Sequence, residues 1–334
     1  MSAIVFHKLL AIFCTVALGW LAGRLRWLGQ PAGGTDPARL LGHAAFTIFV
    51  PALLFRTTAR LDFSRMPWAT VAAFFVPAVA MVLVVYGWQR WRRSPGTEAA
   101  LPATRAICAN FGNTVQLGIP MAAAVLGEAG LGMHIALVSV HALILLTVLT
   151  ALVEMDLARE RRLNEETAPL GRTLRTTVRN TLIHPVVLPV LSGMVFNATS
   201  WPLPAVVDES LQVIGSAVVP LCLVLIGLSL AYSGIRGGLR GALVGSAIKL
   251  LALPALVLVV AHWGFGLNGT PLAVVVMAAS LPTGSNALIF AQRYATLEVE
   301  ATATIVISTF LFAVSASFWL AVLGALGALG APGA

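Results

Sequence analysis

The chain alternates long apolar runs with short polar connections. Stretches such as 3–23 and 302–326 reach the length of about 20 residues that a helix needs to cross a hydrocarbon core of about 30 Å. Apolar runs bounded by charged residues or by Gly/Pro clusters predict ten membrane spans, numbered 1 to 10 along the chain. Their approximate bounds are 3–23, 38–55, 67–89, 104–126, 132–154, 180–198, 205–232, 238–263, 270–292 and 301–325.

The composition excludes a water-soluble fold. Of the 334 residues, 58% are hydrophobic and 10% are charged, whereas soluble domains contain about 25% charged residues. Span 1 is longer than the apolar part of a signal peptide, about 7 to 15 residues, so we expect it to be retained. The three cysteines lie in apolar spans without CxxC or histidine spacing, so we predict no disulfide framework, metal site or cofactor.

Basic residues divide unequally between the two sides of the predicted membrane. Sixteen arginines fall on one side, and Lys8, Arg56, Arg60 and Arg65 fall on the other. By the positive-inside rule the first side is cytoplasmic, and both termini are then outside. This distribution explains the formal net charge of +8 without nucleic-acid binding. The excess of arginine over lysine and the many alanines favour a bacterial cytoplasmic (inner) membrane.

The two halves of the chain resemble each other. Three pairs recur at nearly the same separation, namely Phe49–Pro51 with Val218–Pro220, Gly23 with Gly193, and Ala109 with Ala279. Each half holds five spans, an odd number, so the second half enters the membrane from the opposite side and the repeat is inverted. We therefore predict two five-helix repeats, 1–154 and 180–334, joined by a cytoplasmic linker at 155–179.

Spans 4 and 9 are each interrupted near the middle. Residues 109–120 read ANFGNTVQLGIP, and residues 279–287 read ASLPTGSNA. Proline removes a backbone hydrogen bond and glycine tolerates unwound backbone, although a single proline more often marks an ordinary kink. Because both halves carry the interruption at corresponding positions, we predict a midplane binding site where half-helix N-termini face an anion.

The motifs in these spans resemble those of the auxin efflux carrier family, which includes plant auxin exporters and bacterial small-carboxylate permeases. Residues 113–120 resemble the family's Asn-Thr-x-x-x-Gly-Ile-Pro crossover, and residues 280–294 resemble its second crossover. The VPALLF sequence at 50–55 also matches. The resemblance covers the whole chain, and the short linker resembles that of a bacterial malonate or malate permease.

The resemblance implies an all-α fold similar to that of the sodium/bile-acid symporter superfamily. Spans 1, 2, 6 and 7 would form a scaffold. Spans 3–5 and 8–10 would form a mobile core that carries the crossed, broken spans and moves by an elevator-like step. Asn113 would contact a substrate carboxylate. Ser285 and Asn286 stand where the auxin exporters are apolar, which argues against auxin as the substrate.

We expect the substrate site to contain residues of both interruptions, faced by one proline from each scaffold half. The residues in the interruptions are Asn110, Asn113, Thr114, Gln116, Pro120, Pro282, Thr283, Ser285 and Asn286. The scaffold residues are Pro51 and Pro220.

Ionisable side chains inside the spans suggest coupling or support roles. Lys249 in span 8 is either a functional cation or a side chain that snorkels to the cytoplasmic side. His141 in span 5 either relays a proton or is a neutral ring that donates one hydrogen bond. His134 suggests an ordinary polar contact, and Arg56 either attracts anions or anchors a helix end. No carboxylate falls mid-span, which disfavours acidic sodium ligands but leaves carbonyl and hydroxyl ligands open.

Together these features predict a secondary carrier for a small organic anion such as malonate or malate. An auxin-like aromatic acid or an amino acid is the alternative substrate. An intramembrane hydrolase using Ser285 is disfavoured because a Gly-x-Ser-Gly environment is missing, and no P-loop is present for an ATP-driven pump. The partners are the substrate, the lipid bilayer and, as open alternatives, protons and a second copy of the chain.

Overall fold

The computed structural model of this chain is all-helical. It describes residues 3–28, 37–60, 66–94, 96–164, 183, 185, 187–233 and 238–329. Within these residues six helical stretches are long and apolar enough to cross a membrane, as expected for a polytopic membrane protein. They are Leu40–Ala59, Trp68–Trp91, Met121–Glu160, Ala205–Tyr232, Leu239–Gly264 and Glu298–Ala325.

The α-helices and short π-helical segments follow one another along the chain. The first half contains α1 (Ala3–Arg24), α2 (Pro37–Ala44), α3 (Val50–Ala59), α4 (Trp68–Trp91), α5 (Leu101–Asn110) and α6 (Ile119–Asn164). The second half contains α7 (Val187–Ala198), α8 (Ala205–Ser216), α9 (Val218–Ser233), α10 (Leu239–Ala247), α11 (Leu253–Val259), α12 (Gly269–Ser280), α13 (Asn286–Arg293) and α14 (Glu298–Ala325). The π-helical segments are Ala45–Phe49, Thr114–Gly118, Ile248–Ala252 and Val260–Gly264.

Prolines explain where most of the π-helical segments occur. Pro51, Pro120 and Pro254 each follow the end of such a segment by two residues. In an α-helix the proline ring clashes with the carbonyl four residues earlier and has no N–H to donate. The wider turn lets the N–H of Val50 donate to the carbonyl of Ala45 instead. The chain can therefore continue as a helix through the proline.

Glycines bring two pairs of helices into close contact. α1 lies along α9, and α3 lies along α7. A Cβ on Gly227 would clash with the carbonyl of Val16, and one on Gly193 would lie 2.7 Å from the carbonyl of Phe55. Small residues at helix interfaces in a membrane let the backbones approach closely, and dispersion contacts then hold the helices together.

α12 lies at the centre of the protein. Its residues from Leu272 to Ser280 are all buried, and it packs against α4, α6, α11 and α14. A helix that is apolar on every side is stable only when other helices surround it. The chain that follows α12 is therefore also held inside the protein rather than facing lipid.

Several boundaries differ from the predicted spans. Instead of a loop at 127–131, α6 has a single break at Gly127, whose φ of 64° and ψ of −168° are readily adopted only by glycine. α6 also continues to Asn164. The first part of the predicted linker is thus helical, and its residues 165–179 lie outside the described part of the chain.

Candidate functional site

Both predicted interruptions are present, and they pair with each other. α5 ends at Asn110 and α12 ends at Ser280, and in each case extended backbone follows. Gly112 and Thr283 form an antiparallel β-bridge. The Asn113 N–H donates to the Pro282 carbonyl at 2.8 Å, and the Gly284 N–H donates to the Phe111 carbonyl at 2.8 Å. Each broken segment therefore supplies hydrogen-bond partners for backbone groups of the other. Unwound backbone at membrane depth needs such partners, because lipid offers none.

Gly284 makes this close crossing feasible. A Cβ on Gly284 would lie 2.9 Å from the Gly112 carbonyl oxygen and 3.2 Å from Cδ1 of Phe111. A Cβ on Gly112 would lie 3.5 Å from the nearest heavy atom, the Ala278 carbonyl oxygen, which is an ordinary contact. The crossing therefore leaves no room for a side chain at Gly284 but does leave room at Gly112.

Two cavities border the crossing. The α1–α9 cavity, of about 450 Å³, is lined by residues of α1, α9 and α14, including Phe13, Trp20 and Phe310. The α3–α6 cavity, of about 140 Å³, is lined by residues of α3, α6 and the start of α9. Asn113 and Ser285 line both cavities. These two side chains are thus reachable from both cavities.

The cavities offer polar groups but no fixed charge. Neither is lined by a lysine, an arginine or a carboxylate among the residues that the structure describes. Thr114 and Asn286, at the starts of the helical segments after the two breaks, line the α3–α6 cavity. Helix N-termini carry partial positive charge and can attract an anion. The arrangement therefore suits a small anion bound by amide, hydroxyl and helix-terminal groups.

Thr283 and Asn110, also expected in the site, form hydrogen bonds within the protein instead. Thr283 is fully buried; its hydroxyl donates to the Cys108 carbonyl at 2.8 Å, and its N–H donates to Oγ of Ser308 at 3.0 Å. Asn110 is also buried, and its Nδ2 donates to the Ala78 carbonyl at 2.8 Å. Neither residue lines the two cavities.

Three prolines expected in the site do not line the two cavities. Pro282 is buried and contributes its carbonyl to the crossing, while Pro51 is half-buried and Pro220 is exposed. None of the three lines either cavity, although neighbours of the last two do. The side chains of Gln116 and Pro120 lie outside the described part of the structure.

Lys249 points into the protein, so the snorkelling alternative is wrong. Its side chain is fully buried, and Nζ donates to the Ala279 carbonyl at 2.5 Å. The same Nζ would lie 3.6 Å from a Cβ on Gly112. Ala279 is in the last turn of α12, where the helix dipole is negative, so a cation there is favoured. The ammonium thus contacts the crossing directly.

Two histidines of α6 approach the broken span from one side. His134 is buried, and its Nε2 lies 2.8 Å from the Thr114 carbonyl, which confirms the expected polar contact. His141 lines the α3–α6 cavity and meets the Phe111 ring edge-on, with 4.5 Å between the ring centroids. Its Nε2 has no hydrogen-bond partner among the described residues. His141 is therefore the cavity-lining histidine.

Arg56 anchors a helix rather than lining a cavity. Its Nε donates to Oδ1 of Asp208 at 2.8 Å and its guanidinium also reaches Gln212, while Arg60 contacts the same aspartate at 2.7 Å. These contacts tie the end of α3 to α8. The apolar wall residues of α1, α9 and α14 could not be predicted from the sequence, because apolar residues in apolar spans carry no local signal.

Known proteins resemble this chain over nearly its whole length. A family model described as "Membrane transport protein" matches residues 4–320. An "Uncharacterized transporter" of Methanothermobacter thermautotrophicus is 24% identical over 325 residues, covering 95% of this chain and 98% of its own. A protein of Rhizobium meliloti named "Putative malonate transporter" is 25% identical over 317 residues, or 90% of each chain. Auxin efflux carrier component 8 of Arabidopsis thaliana is 22% identical over 325 residues, covering 85% of this chain and 87% of its own.

Proposed function

The chain belongs to the membrane transport protein family that includes auxin efflux carriers, and from that premise we propose that it is a secondary carrier of a small organic anion. The observation that carries the proposal is the pair of cavities that meet at Asn113 and Ser285. A carrier must expose one site to each side of the membrane in turn. A site that borders two separate cavities suits that task, and family membership favours a carrier over an intramembrane enzyme.

We infer the side to which each cavity faces from the order of the elements. The α1–α9 cavity is lined by residues from Phe13 to Trp20 of α1 and from Leu223 to Leu230 of α9, and both helices lead toward the arginine-rich loops. The α3–α6 cavity is lined by the last residues of α3, which lead to the other side. From the loop charges we infer that the α1–α9 cavity is cytoplasmic and that both termini are outside. The excess of arginine over lysine and the many alanines favour a bacterial inner membrane.

Pseudo-symmetric contacts support ten membrane crossings in two inverted repeats. The contact of α1 with α9 corresponds to that of α7 with α3, since the repeat relates α1 to α7 and α3 to α9. Gly23 and Gly193, paired in sequence, face these partner helices at equivalent places. We assign α1, α2–α3, α7 and α8–α9 to a scaffold and the other helices to a core that moves in an elevator-like step.

The substrate would be held by its acidic group at the crossing. Asn113 Nδ2 and Ser285 Oγ are suitable donors to a carboxylate, and the helical segments beginning at Thr114 and Asn286 add partial positive charge. We favour a short carboxylate such as malonate or malate, in line with the printed name of the Rhizobium meliloti relative. The aromatic side chains of the α1–α9 cavity favour an aromatic acid as the second candidate.

His141 and Lys249 are the proposed coupling and support groups. His141 borders the α3–α6 cavity, so a proton could reach it from that side. Lys249 places an amine at the crossing, and among the described residues no carboxylate lines either cavity to bind sodium. Substitution His141→Gln is expected to leave substrate binding intact and to remove the part of uptake that a proton gradient drives.

Uptake into proteoliposomes tests the proposal. We would measure accumulation of labelled malonate, malate and an aromatic acid by wild type, Asn113→Ala and Asn113→Asp. The alanine variant should lose most uptake of the transported acid, and the aspartate variant should lose all of it because a carboxylate repels an anion. Asn268→Ala, on an exposed loop, is the matched control and should behave as wild type. If no acid accumulates, or if Asn113→Asp transports as well as wild type, the proposal fails.

A further inference from the structure

A third cavity lies between helix ends on the arginine-rich side of the protein. This basic cavity has a volume of about 700 Å³ and is lined by residues from the end of α4, from α5 and α10, and from the start of α14. Its lining includes Arg92, Arg93, Arg105 and Arg240 but only one acidic residue, Glu300. None of its residues lines the α1–α9 or α3–α6 cavity, so it is separate from the proposed substrate site.

Two of the four arginines are neutralised by the protein itself. Arg105 donates to both carboxylate oxygens of Glu300, at 2.9 and 3.2 Å, and to the Gln89 side chain at 2.9 Å. Arg93 forms an ion pair with Glu160. Gly241 leaves room for this arrangement, since a Cβ there would clash with the Glu300 carboxylate. These contacts hold the cavity walls together and leave little charge for a ligand.

The other two arginines keep their charge available. The Arg92 guanidinium lies over the Trp88 ring, 5.2 Å from its centroid, and pairs with no carboxylate among the described residues. Arg240 is exposed and has no hydrogen bond or ion pair with the described part of the chain. One guanidinium therefore follows the end of α4, and the other comes from the start of α10. A cavity of this size with two uncompensated guanidiniums is suited to an anion.

The cavity also opens toward the lipid. Trp88 and Val244 both line it, and each is 52% exposed. Beside them, α4 exposes Val84 and Trp91, and α10 exposes Leu243. In a membrane protein these exposed apolar side chains face acyl chains, and tryptophan favours the level of the headgroups. A ligand with a phosphate group and apolar chains would match both surfaces, whereas a free anion would use only the arginines.

We propose that the basic cavity binds the phosphate headgroup of an anionic glycerophospholipid, with Arg92 and Arg240 as its ligands. Basic pockets between membrane helices on the cytoplasmic side are suited to such headgroups. The cavity floor includes Cys108 and Ala109, and the Cys108 carbonyl accepts the hydroxyl of Thr283 at the crossing. The bound lipid therefore reinforces the helix end from which the first interruption starts.

Lipid titration of the purified, delipidated full-length chain tests this site. Thermal stability and native mass spectrometry would be followed during addition of dioleoylphosphatidylglycerol or of dioleoylphosphatidylcholine, which has the same chains. Wild type should bind and be stabilised by the first lipid in preference to the second. The variant Arg92→Gln/Arg240→Gln should bind phosphatidylglycerol about 25-fold more weakly, since each arginine near the surface contributes about fivefold.

The matched control removes the same charge elsewhere on the same side. Arg24 and Arg293 are exposed and also lie over aromatic rings, those of Trp20 and Phe46, each at 5.6 Å. Arg24→Gln/Arg293→Gln should therefore bind phosphatidylglycerol as wild type does. Equal weakening in both double variants, or none in Arg92→Gln/Arg240→Gln, would overturn the site. The single variant Arg240→Gln, expected to weaken binding about fivefold, serves if the double variant misfolds.

Inorganic phosphate distinguishes the lipid from a free anion. Phosphate alone should neither stabilise the protein nor displace phosphatidylglycerol, because it makes no contact with the exposed apolar surface of α4 and α10. Stabilisation by phosphate equal to that by the lipid would overturn the lipid assignment. These binding measurements do not depend on transport, so they can succeed or fail independently of the proposed function.

Discussion

Substitution of Gly284 by alanine perturbs the crossing with a single added methyl group. Gly284 has a backbone conformation that alanine can adopt, since its φ is not positive. The added Cβ would lie 2.9 Å from the Gly112 carbonyl oxygen and 3.1 Å from the carbonyl carbon. Both are backbone atoms, so no side-chain rotation relieves the clash. The two extended segments must move apart.

Three contributions to the free energy of unfolding set the size of the destabilisation by Gly284→Ala. Overpacking of a buried site costs about 1–3 kcal/mol. Separation of the segments weakens the 2.8 Å hydrogen bond from the Gly284 N–H to the Phe111 carbonyl. A buried group that loses its partner costs about 1–3 kcal/mol. Alanine also restricts the unfolded chain more than glycine does, which stabilises the folded state by about 0.4–1 kcal/mol. We expect a net destabilisation of about 2–4 kcal/mol.

The free energy of unfolding would be measured by sodium dodecyl sulfate titration in mixed micelles, with uptake measured on the same preparation. Gly112→Ala is the matched control because it lies in the same bridge, yet its Cβ would meet nothing closer than 3.5 Å. It should remain within about 1 kcal/mol of wild type. Gly284→Ala that is as stable as wild type, or Gly112→Ala that is equally damaged, would refute the reasoning.

Three further substitutions probe the surrounding contacts. Thr283→Val removes the donor to the Cys108 carbonyl and should lower the free energy of unfolding by about 1–3 kcal/mol in the same titration. The substrate concentration for half-maximal uptake should not change, because Thr283 lines neither cavity. Gly227→Ala places a Cβ against the Val16 carbonyl and should cost about 1–3 kcal/mol by separating α1 from α9. Lys249→Met should fold, because an apolar isostere replaces a buried charge, but uptake should fall about tenfold, which is about 1.4 kcal/mol.

Each of these three has its own control and contrary result. Thr283→Ser keeps the hydroxyl and should keep the stability, and an unstable serine variant would show that the methyl group matters instead. Gly132→Ala meets no atom within 4 Å and should be tolerated, so equal damage there would remove the packing argument. Full uptake by Lys249→Met would exclude a role for the cation in transport.

The sequence predicted where the helices break better than which side chains line the cavities. The family resemblance is confirmed, and so are the interruptions of spans 4 and 9. Asn113 and Ser285 line both cavities, but Asn110 and Thr283 donate to backbone carbonyls instead. Residue type cannot separate these roles, because an amide or hydroxyl suits a substrate and an unpaired carbonyl equally well. Which one it meets depends on the packing of a neighbouring helix.

The sequence by itself determined that this is a helical membrane protein and where its helices break. Both follow from local physics, since lipid selects long apolar runs and proline and glycine interrupt the backbone ladder. Only the tertiary structure decided that the breaks pair with each other, that Lys249 turns inward and that two cavities share Asn113 and Ser285. Those features arise from residues far apart in the chain whose contacts are set by helix packing. Apolar spans of similar composition do not encode that packing in any local pattern.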